Sequence, residues 1–286
     1  MKYNIVEINT ILNGKFLQEK EDTVLTTICI DTRQITNAAN SLFFCLVARN
    51  DGHQHIETAY KKGIRNFIVS QTIDINSYPE ANFILVQDTT ASLQKLAKHH
   101  REQFNIPVIG ITGSNGKTIV KEWLFQLLTS EKNIVKSPKS YNSQVGVPLS
   151  VLNMEKENEL AIFEAGISTV GEMENLQKII QPSIGILTNI GSAHDAGFSS
   201  AEEKIKEKLK LFEDCTAVIY SDKYLDSPEP IVHSARFISF GDGETSTLII
   251  KQKEKKKNST IVEINSTAFN IHHSTFNIPF TDEASI

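Results

Sequence analysis

Cysteine is scarce in this chain. Cys29, Cys45 and Cys215 are the only three, far apart and outside any metal-ligand spacing. An odd, scattered set points to reduced thiols in a cytoplasmic protein rather than a disulfide framework. Long apolar runs are also missing: none approaches the roughly 18 residues of a membrane span, and Met1–Asn4 begin no apolar leader region. Nor does one sign of charge dominate. Lys and Arg number 29 against 34 Asp and Glu, and the net charge of -5 argues against a general nucleic-acid binder. The one basic run, Lys251–Lys257, lies between two β-like stretches and reads as a solvated hairpin. There is no internal repeat and no low-complexity segment. What remains is a chain of 286 residues, 40% hydrophobic, able to bury a sizeable core in about two domains.

The first unit is expected over residues 1–105. Ser41–Val47, Phe67–Val69 and Phe83–Val86 read as strands. His55–Lys62 reads as a helix stopping at Gly63, and Thr90–Phe104 as a helix with Leu93, Leu96, Ala97 and Phe104 at helical spacing. Asn105-Ile106-Pro107 breaks it. The second unit, 106–286, starts with the buried strand Pro107–Thr112, followed by a glycine loop and a helix with Val120, Trp123, Leu124, Leu127 and Leu128 on one face. Strands at Leu160–Glu164, Ile184–Thr188 and Ala217–Tyr220 alternate with helices at Gly171–Ile180 and Ala201–Phe212. That alternation implies an α/β fold with a mostly parallel sheet covered on both faces. After residue 230 the pattern turns to short strands: Arg236–Phe240, Leu248–Lys251, Thr260–Ile264 and Ala268–Ile271. This is a β-rich C-terminal part, and Thr281–Ile286 reads as the start of a further helix.

Thr112-Gly113-Ser114-Asn115-Gly116-Lys117-Thr118 lies between strand and helix, the context of a phosphate loop. Glycines let backbone N–H groups close on phosphate oxygens, and a helix N-terminus adds positive potential. Lys117 would reach the β- and γ-phosphates, and the Thr118 hydroxyl a Mg²⁺ ion. The generic spacing asks for glycine where Ile111 stands, so that motif matches only in part. A tight turn with an exposed lysine is the other reading.

Two more strand ends carry polar groups. Leu160–Phe163 runs into Glu164, and a carboxylate there is costly unless paired or metal-bound. Ile184–Ile190 leads to Gly191-Ser192-Ala193-His194. In open parallel sheets ligands bind beyond the carboxyl ends of the strands, so the phosphate loop, Glu164 and His194 can share one crevice. The plainer readings are a helix-capping carboxylate and a loop histidine. On the helix 201–212, Ala201, Ile205, Leu209 and Phe212 define the apolar face. Lys208 lies about 60° from Ile205, whereas Lys206 and Lys210 face away. A desolvated lysine has a lowered pKa and a neutral amine can take up carbon dioxide; the wheel alone equally fits a snorkelling lysine.

These motifs resemble the Mur ligases, which build the peptide stem of the bacterial cell-wall precursor. The likeness covers nearly the whole chain. It includes the loop 112–118 with its departure at Ile111, the stretch Tyr141-Asn142-Ser143-Gln144-Val145-Gly146-Val147-Pro148-Leu149, Glu164, the pair Ala193-His194, and Lys208 fourteen residues after His194. It implies ATP as the energy source and two Mg²⁺ ions, one held by Glu164 and His194 with the Thr118 hydroxyl and the other by a carbamylated Lys208, with Lys117, His194 and Lys208 serving catalysis. Gly113–Thr118 would hold the nucleotide. Glu164–Ser168 and Gly171-Glu172-Met173 are closest to the branch that joins D-alanyl-D-alanine to a UDP-N-acetylmuramoyl-tripeptide. Asp31, Arg33, Asp51 and His53 would receive the UDP-sugar in the first domain, with Asn142 and Ser168 also at the substrate; without the resemblance, Asp31, Arg33, Asp51 and His53 read as turn residues. The resemblance further implies a third domain beyond Ile286, so the isolated chain is expected to lack ligase activity. A monomer is expected. The alternatives are a sibling Mur ligase adding the third amino acid, a phosphate-loop nucleotidase or kinase, and a UDP-sugar binding module without catalysis.

Overall fold

Asn4 starts the first helix. Its side chain accepts from the Glu7 N–H at 2.7 Å, and the Glu7 carboxylate accepts from the Asn4 N–H at 2.7 Å, a reciprocal capping box. Around it the chain forms β1 (Tyr3–Asn4), α1 (Ile5–Leu12), β2 (Lys15–Gln18), β3 (Val24–Leu25), β4 (Thr27–Cys29) and β5 (Ser41–Phe44). There follow α2 (Ile56–Lys61), β6 (Asn66–Val69), β7 (Asn82–Leu85) and α3 (Thr89–Arg101). These are the elements of the computed structural model, which describes residues 1–48, 50–191, 197–225, 232 and 235–278. The sheet order is β2-β7-β6-β5-β4, parallel except for β2. Strands β5 and β6 are buried on both faces, as parallel strands require. Phe43, Phe67 and Phe83 fill the core, with Phe67 stacked on Phe83 at 5.0 Å between ring centroids. Cys29 and Cys45 lie in the same core, and all three thiols are free and buried. Helix α2 stops where Gly63 takes φ +96°.

The chain then forms β8 (Val108–Thr112), α4 (Lys117–Leu128) and β9 (Ile134–Lys136) of a second unit before returning to the first. The segment 144–156, assigned to the second unit by its place in the sequence, packs with the first through α5 (Gly146–Val151), which lies beside α3. Gln94 donates to the Gln144 carbonyl at 3.1 Å, and His100 Nε2 bonds the Met154 carbonyl at 3.0 Å. Long-range packing of this kind leaves no local mark in the sequence.

The second unit resumes with β10 (Leu160–Glu164), α6 (Glu172–Ile180), β11 (Ile184–Leu187), α7 (Ala201–Leu209), β12 (Ala217–Ser221) and β13 (Arg236–Gly241). It continues through β14 (Leu248–Lys255), β15 (Thr260–Ser266) and β16 (Ile271–Ile278). One nine-stranded sheet results, in the order β16-β15-β14-β13-β12-β11-β8-β10-β9. It is parallel from β9 to β14 and antiparallel through β15 and β16. The late strands thus extend the central sheet. The expected strand at Ala268–Ile271 is corrected: residues 267–270 form a turn, with Asn270 at φ 53°, and β16 starts at Ile271. Gly185 on β11 admits the Phe212 ring just beyond α7; a Cβ there would lie 2.4 Å from Cδ1. On α4, Leu127 is 72% exposed instead of inward, while Lys121 is fully buried. Among the described residues no helix is long and apolar enough to cross a membrane.

Candidate functional site

Strand β8 is central, with β10 on one side and β11 on the other, so the crevice beyond its carboxyl end is a topological switch point. The phosphate loop leaves β8 there. Gly113 takes φ +145°, and a Cβ would sit 2.0 Å from Thr188 Oγ1, so no other residue fits. The stretch after β11 clamps the loop. Ser114 N and Asn115 N donate to the Asn189 carbonyl and side-chain oxygen, both at 2.8 Å. Thr188 Oγ1 donates to the Asn115 carbonyl at 2.6 Å, and Ser114 Oγ to that of Gly191 at 3.1 Å. Two loop amides expected at phosphate thus go to Asn189, whose role sequence reasoning missed. The amides opening α4 precede any carbonyl of their own helix and point into the crevice end.

Lys117 folds back on this loop, its ammonium donating to the Gly113 carbonyl at 2.8 Å. Burial lowers its pKa, with the Glu164 charge acting in the opposite sense. The Thr118 hydroxyl donates to Glu164 Oε2 at 3.0 Å, joining two of the expected Mg²⁺ ligands. Glu164 itself is fully buried at the end of β10. Its other oxygen, Oε1, has no hydrogen-bond donor among the described residues. Lys121 Nζ does lie 2.9 Å from Oε1, but off the hydrogen-bonding direction; it donates to the carbonyls of Ser137, at 2.8 Å, and Lys139. A buried carboxylate oxygen with its lone pairs free, next to a hydroxyl, is a donor set that fits a hard cation such as Mg²⁺. Lys121 escaped sequence reasoning because Val120, Trp123 and Leu124 suggested an apolar face around it.

Helix α7 supplies two more ammoniums. Lys208 is 2% exposed and donates to the same Gly113 carbonyl at 3.2 Å. Its pKa falls to about 8, chiefly through burial and then through the nearby charges of Lys117 and Lys204. Lys206 is exposed, as expected. Of the expected apolar face, Leu209 and Phe212 are buried and Ile205 is half-buried, but Ala201 is exposed, while Lys204 and Glu207 are buried alongside Lys208. Each buried polar group has a partner. Lys204 donates to the Gly191 carbonyl. Glu207 Oε1 accepts the N–H groups of Gly171 and Met173, capping α6 at 2.8 and 3.1 Å. His194, with Ala193, lies outside the described residues.

Near Glu164, Asn142 accepts the Gly166 N–H at 2.8 Å through its carbonyl, and the Ser168 N–H donates to Glu172 at 2.5 Å. The remaining candidates belong to the first unit. Arg33 grips both oxygens of Asp31, at 3.0 Å from Nε and 2.7 Å from Nη2. This hydrogen bonding pulls the Asp31 pKa down to about 2. His53 Nε2 accepts the Ser70 N–H at 3.0 Å, so its proton is on Nδ1, 2.5 Å from Asp51 Oδ1. Both ring nitrogens are thereby used within the loop.

Residues 111–282 match the family model of the Mur ligase middle domain. The UDP-N-acetylmuramoyl-tripeptide–D-alanyl-D-alanine ligase of Bacillus subtilis (strain 168) is 30% identical over 279 residues, 93% of this chain and 58% of that one. The chain thus spans little more than half the length of that relative. Among solved structures, MurF from Acinetobacter baumannii matches 99% of this chain and 62% of its own with a TM-score of 0.88 at 24% identity, a likeness of fold. MurF ligase from Thermotoga maritima in complex with ADP matches 88% of this chain and 57% of its own with a TM-score of 0.73 at 26% identity. With the middle-domain match spanning more than half of its length, this chain belongs to the Mur ligase family.

Proposed function

We propose that this chain is the nucleotide- and UDP-substrate-binding part of a ligase that uses ATP to join D-alanyl-D-alanine to UDP-N-acetylmuramoyl-tripeptide. One observation carries the reading: Lys117 and Lys208 meet at the Gly113 carbonyl while Thr118 and Glu164 pair beside them, at the carboxyl ends of adjacent strands. The terminal carboxylate of the tripeptide attacks the γ-phosphorus of ATP, and the bond to the β-phosphate oxygen breaks, giving an acyl phosphate and ADP. The amine of D-alanyl-D-alanine then attacks the acyl carbon. A C–N bond forms, inorganic phosphate leaves, and the amine gives up a proton.

The protein's part is positioning and charge. Lys117 leaves the Gly113 carbonyl for the β- and γ-phosphate oxygens, and the α4 amides bind the same phosphates. Thr118 and Glu164 would hold one Mg²⁺ ion, with His194 as a further ligand by the family pattern, and Lys208 would hold a second. Bound there, the ions supply charge neutralisation on the transferring phosphoryl group. Lys208 would act as a ligand in the form of a carbamate: its ammonium loses one proton, and the neutral amine forms an N–C bond to carbon dioxide and releases a second, so a cation becomes an anion. In the first unit, Asp31, Arg33 and Asp51 would meet the UDP-sugar; in the second, Asn142 and Ser168 would be further substrate-binding residues. His53 acts through its loop, holding Asp51 against Ser70.

Calorimetric titration of the chain with ADP and Mg²⁺ tests the nucleotide reading; absence of binding overturns it. The substrate reading is tested on the protein that spans the full length of its relatives. Phosphate release should require both the UDP-tripeptide and D-alanyl-D-alanine. Release driven by a single amino acid and a UDP-dipeptide would assign the sibling activity instead.

A further inference from the structure

Lys121 is the one fully buried lysine on α4, and nothing in the loop motif calls for it. Its ammonium is fixed from three directions: by the carbonyls of Ser137 and Lys139 at the end of β9, by Glu122 Oε1 at 3.1 Å, and by Glu164 Oε1 at 2.9 Å. Glu122 is shared with Lys136. Two ammoniums and two carboxylates therefore already balance around Glu164. Beyond them Lys117 and Lys208 add positive charge, their ammoniums meeting at the Gly113 carbonyl. A bare divalent cation entering this buried cluster would find its ligand's charge already spent. It would also meet the Lys121 ammonium, 2.9 Å from Oε1, where a low dielectric strengthens the repulsion. Nucleotide phosphates would bring the missing negative charge. The geometry at Oε1 matters as well. Two of the Lys121 protons go to the carbonyls of Ser137 and Lys139, and Oε1 has no hydrogen-bond donor among the described residues, so it keeps lone pairs that a cation can use.

We propose that Lys121 is a built-in counter-ion of Glu164 that keeps a divalent cation off the carboxylate until nucleotide phosphates arrive with it. Lys121 is then a positioning residue: it touches no substrate and acts through Glu164. The inference rests on the reading of Thr118 and Glu164 as cation ligands made above.

The test follows free Mn²⁺ by its electron paramagnetic resonance signal, titrated into the chain alone and into the chain saturated with ADP. The wild-type chain should leave Mn²⁺ free without nucleotide and take up one equivalent with ADP. Lys121→Gln keeps donors for the two carbonyls and removes the charge. It should bind Mn²⁺ without nucleotide at least about tenfold more tightly than wild type, and adding Glu164→Gln should abolish that gain. Lys121→Arg, which keeps the charge, should behave like wild type. Equal Mn²⁺ uptake by the wild-type chain with and without ADP would overturn the proposal, as would an unchanged affinity in a folded Lys121→Gln. Should Lys121→Gln fail to fold, the wild-type pair of titrations still decides. Failure of ADP itself to bind, followed calorimetrically, would instead count against the phosphate-loop reading.

Discussion

The two units treat their candidate polar residues in opposite ways. In the first, Arg33 closes on both oxygens of Asp31, and His53 spends both nitrogens on Asp51 and Ser70. Those groups satisfy one another. In the second, two lysines crowd one carbonyl at Gly113, and a fully buried carboxylate oxygen at Glu164 has no donor among the described residues. A polar cluster that balances itself stabilises a loop. One that gathers two ammoniums at a single carbonyl costs stability, the pattern expected of a site that takes a ligand.

The contrast is open to test, and the largest effect is expected at Lys117. In the protein spanning the length of its relatives, Lys117→Ala should lower turnover on the order of 10³-fold without changing the circular dichroism spectrum. Activity within tenfold of wild type would end the phosphate-loop reading. Next comes the pair on α7. Lys208→Ala should cost about 10²-fold in turnover, partly restored by a small added carboxylic acid, while the exposed Lys206→Ala should stay within about twofold. A crippling Lys206→Ala beside a harmless Lys208→Ala would reverse the assignment.

The first unit should respond in stability instead. His100 is neutral, bonding the Tyr3 hydroxyl and the Met154 carbonyl, and burial pushes its pKa down to about 4. An unfolded chain takes up that proton near pH 6.5. Between these values the unfolded state binds the proton that the folded state refuses. Stability is therefore full above about pH 6.5 and falls as the pH drops to about 4, by on the order of 3 kcal/mol. Amide exchange in β6 at several pH values would follow it, and His100→Gln should flatten the dependence. The smallest effect is expected for His53→Ala, which strands the Ser70 N–H at a cost of about 1–3 kcal/mol. Chemical unfolding would measure it, and a neutral outcome would show that the loop is not held as described.

Much of this was legible from the residues. Strand β10 has the bounds its apolar run suggested, and the glycine loop stands between β8 and α4 as the sequence pattern implied. On α7 the phase that turns Lys208, Leu209 and Phe212 inward and Lys206 outward was legible, but Ala201 is exposed and Lys204 and Glu207 go inside because carbonyl and N–H groups wait there. Lys121 and Asn189 were hidden for the same reason, since their partners lie on other strands. Helix α1 was missed although Asn4 and Glu7 carry its capping signal. The tie of segment 144–156 to the first unit depends on contacts with α3 that no local pattern encodes.

That tie has a consequence for the order in which the molecule can be made. The chain crosses between the units near residues 105, 143 and 156, so the first unit is not a continuous stretch of polypeptide. As the chain leaves the ribosome, α3 emerges well before α5, and His100 must wait for Met154 before its ring is fully bonded. At about 5–20 residues per second the delay is a few seconds. During that interval the side of α3 that packs against α5 stands uncovered, and a nascent chain halted at residue 105 would lack part of its first unit.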